Sequence, residues 1–131
     1  MYPEDLKYTA EHEWVQSPVD SSGGLTVRFG ITDHAQESLG DIVFVTLPSI
    51  GDELVAGTPC GEVESTKSVS DIYAPVSGVV VARNDVVETA PETLNSDPYG
   101  AGWLVEVAVS EPERLDDLLD VAAYQQLLTT A

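Results

Sequence analysis

The sequence predicts one mainly β domain, and three observations support this prediction. The chain has 131 residues, a length typical of a single domain with its own hydrophobic core. Short stretches alternate apolar and polar residues, a period of two that indicates strands with one buried face. Glycine, proline, serine and asparagine separate these stretches and indicate turns. We expect one domain over residues 1–131, with a β core at about 8–109 and a helical C-terminal segment at about 111–129.

The first two predicted strands flank a loop. Residues 12–16 read as a strand, and residues 17–24 read as a loop because they are built from Ser, Pro, Val, Asp and Gly. Residues 25–31 alternate Leu, Val, Phe and Ile with Thr, Arg and Gly, which predicts a strand buried on one side.

A short helix and a third strand follow. Thr32 is a favourable N-cap for a helix over residues 33–39, and Gly40 is a favourable residue to end it. Residues 42–47 form a nearly continuous apolar stretch, which predicts a strand that ends at Pro48.

A hairpin with a lysine at its tip is the central prediction. Val63 and Val69 each lie between polar neighbours, as expected for two half-buried strands. The four residues 65–68, Ser-Thr-Lys-Ser, suit a type I turn, in which serine is favoured at the first position. Pro75 then ends the returning strand, because proline cannot donate to a strand ladder.

Lys67, one of two lysines in the chain, is predicted to project from that turn. A lysine that acts as a nucleophile needs burial or a neighbouring cation to lower its pKa. Glu62, Glu64 and Asp71 provide the opposite surroundings, so Lys67 is better suited to modification by another protein than to catalysis. The alternative is a solvated turn lysine with no role.

A weak internal repeat surrounds the lysine. Residues 40–45 resemble residues 78–83 in strand character, and each segment precedes a turn-rich connection. A second strand follows in each half, at 60–65 and at 103–109. The pattern indicates two similar halves, with the lysine hairpin between them.

The C-terminal part is predicted to be loops and then helices. Residues 84–102 read as loop-rich. Residues 110–113, Ser-Glu-Pro-Glu, have capping-box spacing for a helix whose apolar face contains Leu115, Leu118 and Leu119. Asp120 is positioned to cap a second short helix. We expect these helices to cover one face of a sheet.

The charge of the chain excludes some functions. Its 23 acidic and 5 basic residues give a net charge of −18, which argues against binding nucleic acid or an anionic membrane surface. Such acidity favours a soluble monomer and partners with basic docking surfaces. The alternative is that the acidity reflects only a generally acidic proteome.

Cysteine content and the N-terminus give no sign of secretion. Cys60 is the single cysteine, so an intrachain disulfide is impossible, and we expect Cys60 to pack as a small hydrophobic residue. With His12 and His34 it does not make an evident metal site. Residues 1–5 are acidic and resemble neither a signal nor a transit peptide, which predicts a cytoplasmic protein. No apolar run is long enough to span a bilayer.

Several blocks of the sequence, in order, resemble the glycine cleavage system H protein family. They are His-Glu-Trp-Val at 12–15, Gly-Ile-Thr-Asp-His-Ala-Gln at 30–36, Leu-Gly-Asp-Ile-Val-Phe-Val at 39–45, Glu-Ser-Thr-Lys-Ser at 64–68, Ser-Asp-Ile-Tyr-Ala-Pro-Val-Ser-Gly at 70–78, Asn-Ser-Asp-Pro-Tyr-Gly at 95–100 and Gly-Trp at 102–103. The commonest family motif is Glu-Ser-Val-Lys-Ala. Thr66 and Ser68 replace its valine and alanine, and the lysine is retained.

The resemblance implies a fold and a cofactor. The fold is a barrel-sandwich hybrid like that of lipoyl and biotinyl domains, with two antiparallel sheets, a short internal helix and C-terminal helices. The family consists of carriers and not of enzymes. Lipoic acid would be attached covalently to Lys67, within a motif that also contains Glu64, Ser65, Thr66 and Ser68.

The resemblance also implies partners. A pyridoxal-phosphate-dependent P-protein loads an aminomethyl group from glycine on the arm, and a tetrahydrofolate-dependent T-protein removes its methylene carbon and releases ammonia. A flavin-dependent L-protein, dihydrolipoyl dehydrogenase, reoxidises the dithiol. A lipoate or octanoyl ligase or transferase attaches the arm. In the family the loaded arm folds into a groove, where Glu13 would hold its ammonium and His34 and Asp33 would line the walls.

Other functions remain open at this point. One is a lipoyl domain of a 2-oxo acid dehydrogenase complex or a biotin carrier, although these have other residues around the lysine. Another is an H-like protein that relays lipoyl groups to other proteins. A hydrolytic or metal-dependent enzyme is disfavoured, because His12, His34 and Cys60 lack a recognisable nucleophile–base spacing.

Overall fold

Nine strands form two antiparallel sheets in the computed structural model, which describes residues 2–20, 26–110, 115 and 117–130, without the side chains of residues 17–20 and 130. The strands are β1 (Lys7–Tyr8), β2 (Glu13–Asp20), β3 (Thr26–Ile31), β4 (Ile42–Thr46), β5 (Glu53–Leu54), β6 (Pro59–Ser65), β7 (Val69–Tyr73), β8 (Gly78–Arg83) and β9 (Val105–Val109). The helices are α1 (Asp33–Leu39), α2 (Asp85–Thr89), α3 (Thr93–Ser96) and α4 (Val121–Thr130).

The two sheets enclose the main hydrophobic core. The larger has six strands in the order β1-β2-β3-β9-β8-β5, and the smaller has the order β4-β6-β7. Every neighbouring pair is antiparallel. Buried residues of both sheets, such as Val27 and Phe29 in one and Val45 and Val63 in the other, belong to one cluster. The predicted mainly β fold with two antiparallel sheets is confirmed, and the sheets of the described chain do not close into a barrel.

The internal repeat is confirmed by strand pairing. β4 pairs with β6 in the small sheet, and β8 pairs with β9 in the large one. Each pair contains a register shift, between Ile42 and Phe44 in one half and between Val80 and Ala82 in the other. These shifts fall at matching positions of the repeat, so the two halves share a bulge as well as a pattern.

A second cluster joins the C-terminal helix to the large sheet. Tyr124 of α4 is buried, and its ring stacks on that of Tyr8 with centroids 4.8 Å apart. Trp14 is buried in the same cluster, and its indole N–H donates to the carbonyl of Pro98 at 2.9 Å. Asp120 caps α4 as predicted, because its Oδ1 accepts from the backbone N–H of Ala123 at 2.8 Å.

The predicted helix over 33–39 is confirmed, whereas the predicted loop over 84–102 is wrong in part. Thr32 caps α1 by accepting from the backbone N–H of Ala35. The segment 84–102 contains α2 and α3, because Asn84 caps α2 and each short helix buries one apolar side chain, Val87 or Leu94. Turn-forming residues here mark helix ends and not only loops.

Three further predictions differ from the structure. β2 continues to Asp20, so residues 17–20 are strand and not loop, while residues 21–25 lie outside the described residues. Val69 is 59% exposed and not half-buried. The described part of the predicted helix is a short 3₁₀ turn, in which the N–H of Leu118 donates to the carbonyl of Leu115 at 3.2 Å, while Leu119 instead pairs with Tyr8 in an isolated antiparallel bridge. Residues 111–114, which include most of the predicted capping box, lie outside the described residues.

Candidate functional site

The predicted lysine hairpin is present, and it is formed by β6 and β7. Val63 faces Ser70 and Glu64 faces Val69 across the antiparallel pair. β6 ends at Ser65 and β7 begins at Val69, so the connection is short and Lys67 lies at its tip. The side chain of Lys67 is exposed. Its position is therefore fixed by a paired strand on each side.

The buried hydroxyl of Ser65 organises the tip. Its Oγ accepts from the backbone N–H groups of Lys67 and Ser68, each at 3.1 Å. The backbone N–H of Ser65 donates to the carbonyl of Ser68 at 2.8 Å, and that of Thr66 donates to the carbonyl of Asp41 at 3.0 Å. The last bond ties the tip to the residue that precedes β4. Because the turn is held by bonds inside and outside itself, the Lys67 backbone has little freedom.

The amine of Lys67 is accessible. Within the part of the chain that the structure describes, no carboxylate lies at ion-pairing distance from it. Its aliphatic stem passes Gly40, where an added Cβ would lie 3.1 Å from Lys67 Cε. Gly40 also has φ +81°, a conformation that favours glycine. A glycine at this position therefore both ends α1 and leaves room for the Lys67 side chain. An enzyme could reach this amine without unfolding the hairpin.

Glu13 is in the opposite situation, because it is only 3% exposed. The hydroxyl of Thr9 donates to its Oε1 at 2.7 Å, and the backbone N–H of Tyr73 donates to its Oε2 at 3.2 Å. Burial raises the pKa of Glu13 to about 8, although these two hydrogen bonds oppose the shift. Glu13 is therefore not a solvent-exposed strand residue, and near neutral pH its carboxyl group holds its proton.

A cleft of about 270 Å³ lies beside the hairpin. Its lining contains His34 and Leu39 from the α1 region, His12 from the residue before β2, and Ser70 from β7. The predicted wall residue His34 is therefore in a groove that reaches the hairpin. Glu13 does not line this cleft. It lies behind Thr9, which lines a second cavity of about 310 Å³.

Asp33, which the resemblance also assigns to the groove, does not line this cleft. Asp33 lines a separate cavity that it shares with Tyr99 and Pro98. Its carboxylate accepts from the side chain of Gln36 at 2.8 Å, and its backbone N–H donates to the hydroxyl of Tyr99 at 2.8 Å. As the first residue of α1, Asp33 supports the start of the helix.

Tyr124 contacts His12, a residue of the cleft, and the sequence pattern did not predict this contact. Its hydroxyl lies 2.7 Å from His12 Nδ1 and 2.8 Å from Thr32 Oγ1. His12 adopts φ 71°, and its ring lies 4.5 Å from that of His34. Burial, together with the neighbouring His34, lowers the pKa of His12. The short helix predicted after Asp120 includes Tyr124, but only the fold brings its hydroxyl to His12, a residue that lines the cleft.

Comparisons with known proteins point to one family. A family model described as glycine cleavage H-protein matches residues 6–131. The chain belongs to the glycine cleavage H-protein family. It is 59% identical over 131 residues to a glycine cleavage system H protein of Mycobacterium avium, with 97% of this chain and 96% of the relative covered. It is 51% identical over 126 residues to one of Myxococcus xanthus, with 96% and 94% covered.

A solved structure of the glycine cleavage H-protein family has the same fold. The crystal structure of a glycine cleavage system H protein from Mycobacterium marinum is similar to this chain with a TM-score of 0.80 and 48% sequence identity. The match covers 94% of this chain and 95% of the other. The family consists of carrier proteins without catalytic activity, and this chain is one of them.

Among the described residues, Cys60 and the remaining carboxylates and histidines do not form a metal-binding cluster. Cys60 is partly buried against the main core, as predicted, and burial, with a smaller contribution from Glu13, raises the pKa of its thiol to about 12. A thiol with such a pKa is a poor nucleophile. The described residues contain no group of three or more His, Cys, Asp or Glu side chains that could hold a metal ion. None of the described helices has the length and apolar character needed to cross a membrane.

Proposed function

We propose that Lys67 bears a lipoyl group in amide linkage, and that the protein, a carrier of the glycine cleavage system, presents this group to its partner enzymes. The observation that supports this most strongly is the exposed Lys67 amine at the tip of a hairpin whose turn is fixed by Ser65. The amine can be reached, and the backbone from which its side chain extends is held by hydrogen bonds of the turn.

The residues around Lys67 fit a covalent arm. Glu64, Thr66 and Ser68 are exposed and leave the space around the amine open, whereas Ser65 is buried and shapes the turn. When bound, a lipoyl group supplies a disulfide that can be reduced and reoxidised and can hold a transferable group. The chain supplies the attachment point and the approach to it.

Position at a tip suits a carrier that serves several enzymes. A lysine within the core could not enter the active sites of the P-, T- and L-proteins in turn. A flexible arm on a rigid base gives the attached group a high effective concentration at a docked partner, because the arm needs no new contact to stay near it. We therefore assign these three proteins, and a lipoate or octanoyl ligase or transferase, as partners of Lys67.

We assign both His34 and Glu13 to protection of the loaded arm, although they belong to different cavities: His34 lines the cleft beside the hairpin, and Glu13 contacts Thr9 of the second cavity. His34 is supported by its place in the cleft beside the hairpin. Glu13 is supported by its burial, because an ammonium that reached it through the Thr9 side would lower its pKa and form a charge-assisted hydrogen bond out of water. A lipoylated Glu13→Ala variant should release the carried group sooner than the wild type. Equal lifetimes would remove Glu13 from this role.

Intact-mass spectrometry tests the attachment site. Protein incubated with lipoate ligase, lipoate and ATP should gain one lipoyl mass. Lys67→Arg should gain none, and the matched variant Lys7→Arg should gain the same mass as the wild type, since Lys7 is the other lysine in the chain. Retention of the adduct in Lys67→Arg, or its loss in Lys7→Arg alone, would contradict the proposal.

A further inference from the structure

His12 and Tyr124 form a contact that the proposed function does not use. His12 lines the cleft beside the lysine hairpin. The hydroxyl of Tyr124 lies 2.7 Å from His12 Nδ1 and 2.8 Å from Thr32 Oγ1, so one phenol joins the wall of the cleft to the residue that caps α1. Thr32 and Tyr124 are fully buried, so their hydroxyl groups must find partners within the protein.

The buried hydroxyl of Thr32 sets the direction of these hydrogen bonds. Its Oγ1 accepts from the backbone N–H of Ala35, and its own hydrogen still needs an acceptor. Among the described residues, the oxygen of Tyr124 is the acceptor within reach of that hydrogen. Thr32 therefore donates to Tyr124, and the phenol hydrogen of Tyr124 is left to donate to His12 Nδ1. We call this chain of bonds, from Thr32 through Tyr124 to His12, the hydroxyl relay.

The hydroxyl relay determines which nitrogen of His12 carries the proton. A ring nitrogen that accepts a hydrogen bond has no hydrogen of its own, so the neutral ring carries its proton on Nε2. A hydrogen on Nδ1 would face the phenol hydrogen of Tyr124. Reversal of the relay would relieve that clash, but it would leave the hydroxyl hydrogen of Thr32 without an acceptor in the core.

Both groups of the hydroxyl relay that can ionise are neutral near pH 7. Burial raises the pKa of Tyr124 to about 12, so the phenol keeps the hydrogen that it donates. Burial, with a smaller contribution from His34, lowers the pKa of His12, while Glu11 opposes this shift. The imidazole of His12 is therefore uncharged at neutral pH, and its Nδ1 can accept.

The backbone of His12 is also held in place. Its N–H donates to the carbonyl of Thr9 at 3.1 Å, and its carbonyl accepts from the N–H of Thr32 at 3.0 Å. The residue adopts φ 71°, a left-handed conformation that is uncommon for residues other than glycine. Such a conformation persists where the surrounding contacts fix it, so backbone and ring together give the Nε2–H group of His12 one position.

This Nε2–H group is a donor without a partner among the described residues, and it belongs to the cleft nearest to Lys67. Leu39 lines the same cleft, and Gly40 follows it directly. An added Cβ at Gly40 would lie 3.8 Å from Lys67 Nζ. An amide formed at this Nζ would therefore begin next to the end of the cleft that Leu39 lines, and its carbonyl oxygen would be an acceptor.

We propose that His12 donates a hydrogen bond from Nε2 to the amide carbonyl of the acyl group attached to Lys67, and that Tyr124 is the positioning residue that holds His12 in this tautomer. The proposal rests on the proposed function, because it takes Lys67 as the attachment site. It gives α4 a part in holding the arm, since this helix supplies the phenol that orients the wall of the cleft.

The protonation of the His12 ring tests the hydroxyl relay in the unmodified protein. His12 and His34 are the only histidines of the chain, so NMR of the imidazole nitrogens gives two sets of signals, and His34→Gln assigns them. At pH 8 the wild type should show a bare Nδ1 and a protonated Nε2 in His12. In Tyr124→Phe the two neutral tautomers should exchange, and both nitrogen shifts should move toward their average.

Two matched variants separate the hydroxyl relay from aromatic packing. Tyr8→Phe removes a hydroxyl that donates to the carbonyl of Pro3, from the ring that stacks on Tyr124, and should leave the His12 shifts at their wild-type values. Thr32→Ser keeps the first hydroxyl of the relay and should also match the wild type. A protonated Nδ1 in the wild type, or equal His12 shifts in Tyr124→Phe and Tyr8→Phe, would overturn the role of Tyr124.

The lipoylated protein tests the ligand. Attachment of a lipoyl group at Lys67 should shift the signals of the His12 Nε2–H group in the wild type, and this shift should be smaller in Tyr124→Phe. Signals that lipoylation leaves unchanged in the wild type would overturn the assignment of the amide carbonyl as acceptor. If Lys67 takes up no lipoyl group, the proposed function fails and the ligand fails with it, whereas the hydroxyl relay is decided by the unmodified protein.

Discussion

Lys67 and Glu13 are both ionisable residues with proposed roles in carrying one group, yet their environments are opposite. Lys67 is exposed at a turn and has no described ion-pair partner, whereas Glu13 is 3% exposed and accepts two hydrogen bonds. The rigidity that Lys67 needs is supplied by its backbone and by Ser65. The properties of Glu13 come from its surroundings, because burial raises its pKa to about 8.

The comparison shows two ways to prepare a charged side chain for function. An exposed lysine costs the fold little, so the chain can place it wherever partners need it. A buried carboxyl group costs stability when it ionises, so it stays protonated until a cation arrives. Local structure of the hairpin positions Lys67, whereas contacts between distant parts of the chain set the environment of Glu13.

The largest expected effect concerns Glu13 and pH. The native state keeps the Glu13 proton up to about pH 8, whereas an unfolded chain loses it near the ordinary pKa of 4.5. Between these values the native state binds more protons, so the free energy of unfolding falls as pH rises, by at most about 1.4 kcal/mol per pH unit for this group. Glu13→Gln should lack this contribution and gain stability relative to wild type as pH rises.

Chemical denaturation at pH 5, 6.5 and 8 measures the Glu13 effect. The difference between Glu13→Gln and wild type should grow steadily from pH 5 to pH 8. Glu64→Gln is the matched control, because Glu64 is an exposed carboxylate in the lysine hairpin. A constant difference for Glu13→Gln across this range would contradict the assigned environment.

An intermediate effect is expected at Ser65, which connects the exposed tip to the buried interior. Ser65→Ala leaves the backbone N–H groups of Lys67 and Ser68 without their described acceptor, which should lower the free energy of unfolding by about 1–3 kcal/mol. Ser68→Ala removes an exposed hydroxyl from the same turn and should cost less than about 0.5 kcal/mol. Equal losses for the two variants, measured by urea denaturation, would show that the Ser65 side chain does not hold the turn.

The position of Lys67 was predictable because its signals are local. Alternation around Val63, the four-residue turn and Pro75 together define a hairpin without any knowledge of the rest of the fold. The same holds for α1, where Thr32 and Gly40 mark both ends. The repeat was also visible, since each half keeps its own strand pattern.

The remaining features depend on contacts between distant parts of the chain. Burial of Glu13 requires the strand that contains Tyr73, and the hydroxyl of Tyr124 reaches His12 across 112 residues of sequence. The two-residue strands β1 and β5 are too short for any periodicity, and they exist because neighbouring strands pair with them. No pattern within a short window records such contacts.

The smallest expected effect on stability concerns Lys67, the exposed residue of the pair. Lys67→Ala should change the free energy of unfolding by less than about 0.5 kcal/mol, because it removes an exposed side chain that forms no described ion pair. Lys7→Ala, also exposed, provides the matched control. A loss above about 2 kcal/mol for Lys67→Ala would show that the lysine supports the fold and is not held solely for presentation.

Peptide mapping of the wild-type protein tests the central claim most directly. After reaction of the folded chain with lipoate ligase, lipoate and ATP, tandem mass spectrometry should find the lipoyl mass on Lys67 and unmodified Lys7. A lipoyl mass on Lys7 in place of Lys67, or no adduct in a reaction that lipoylates a known acceptor, would contradict the account of an outward lysine presented by a rigid turn.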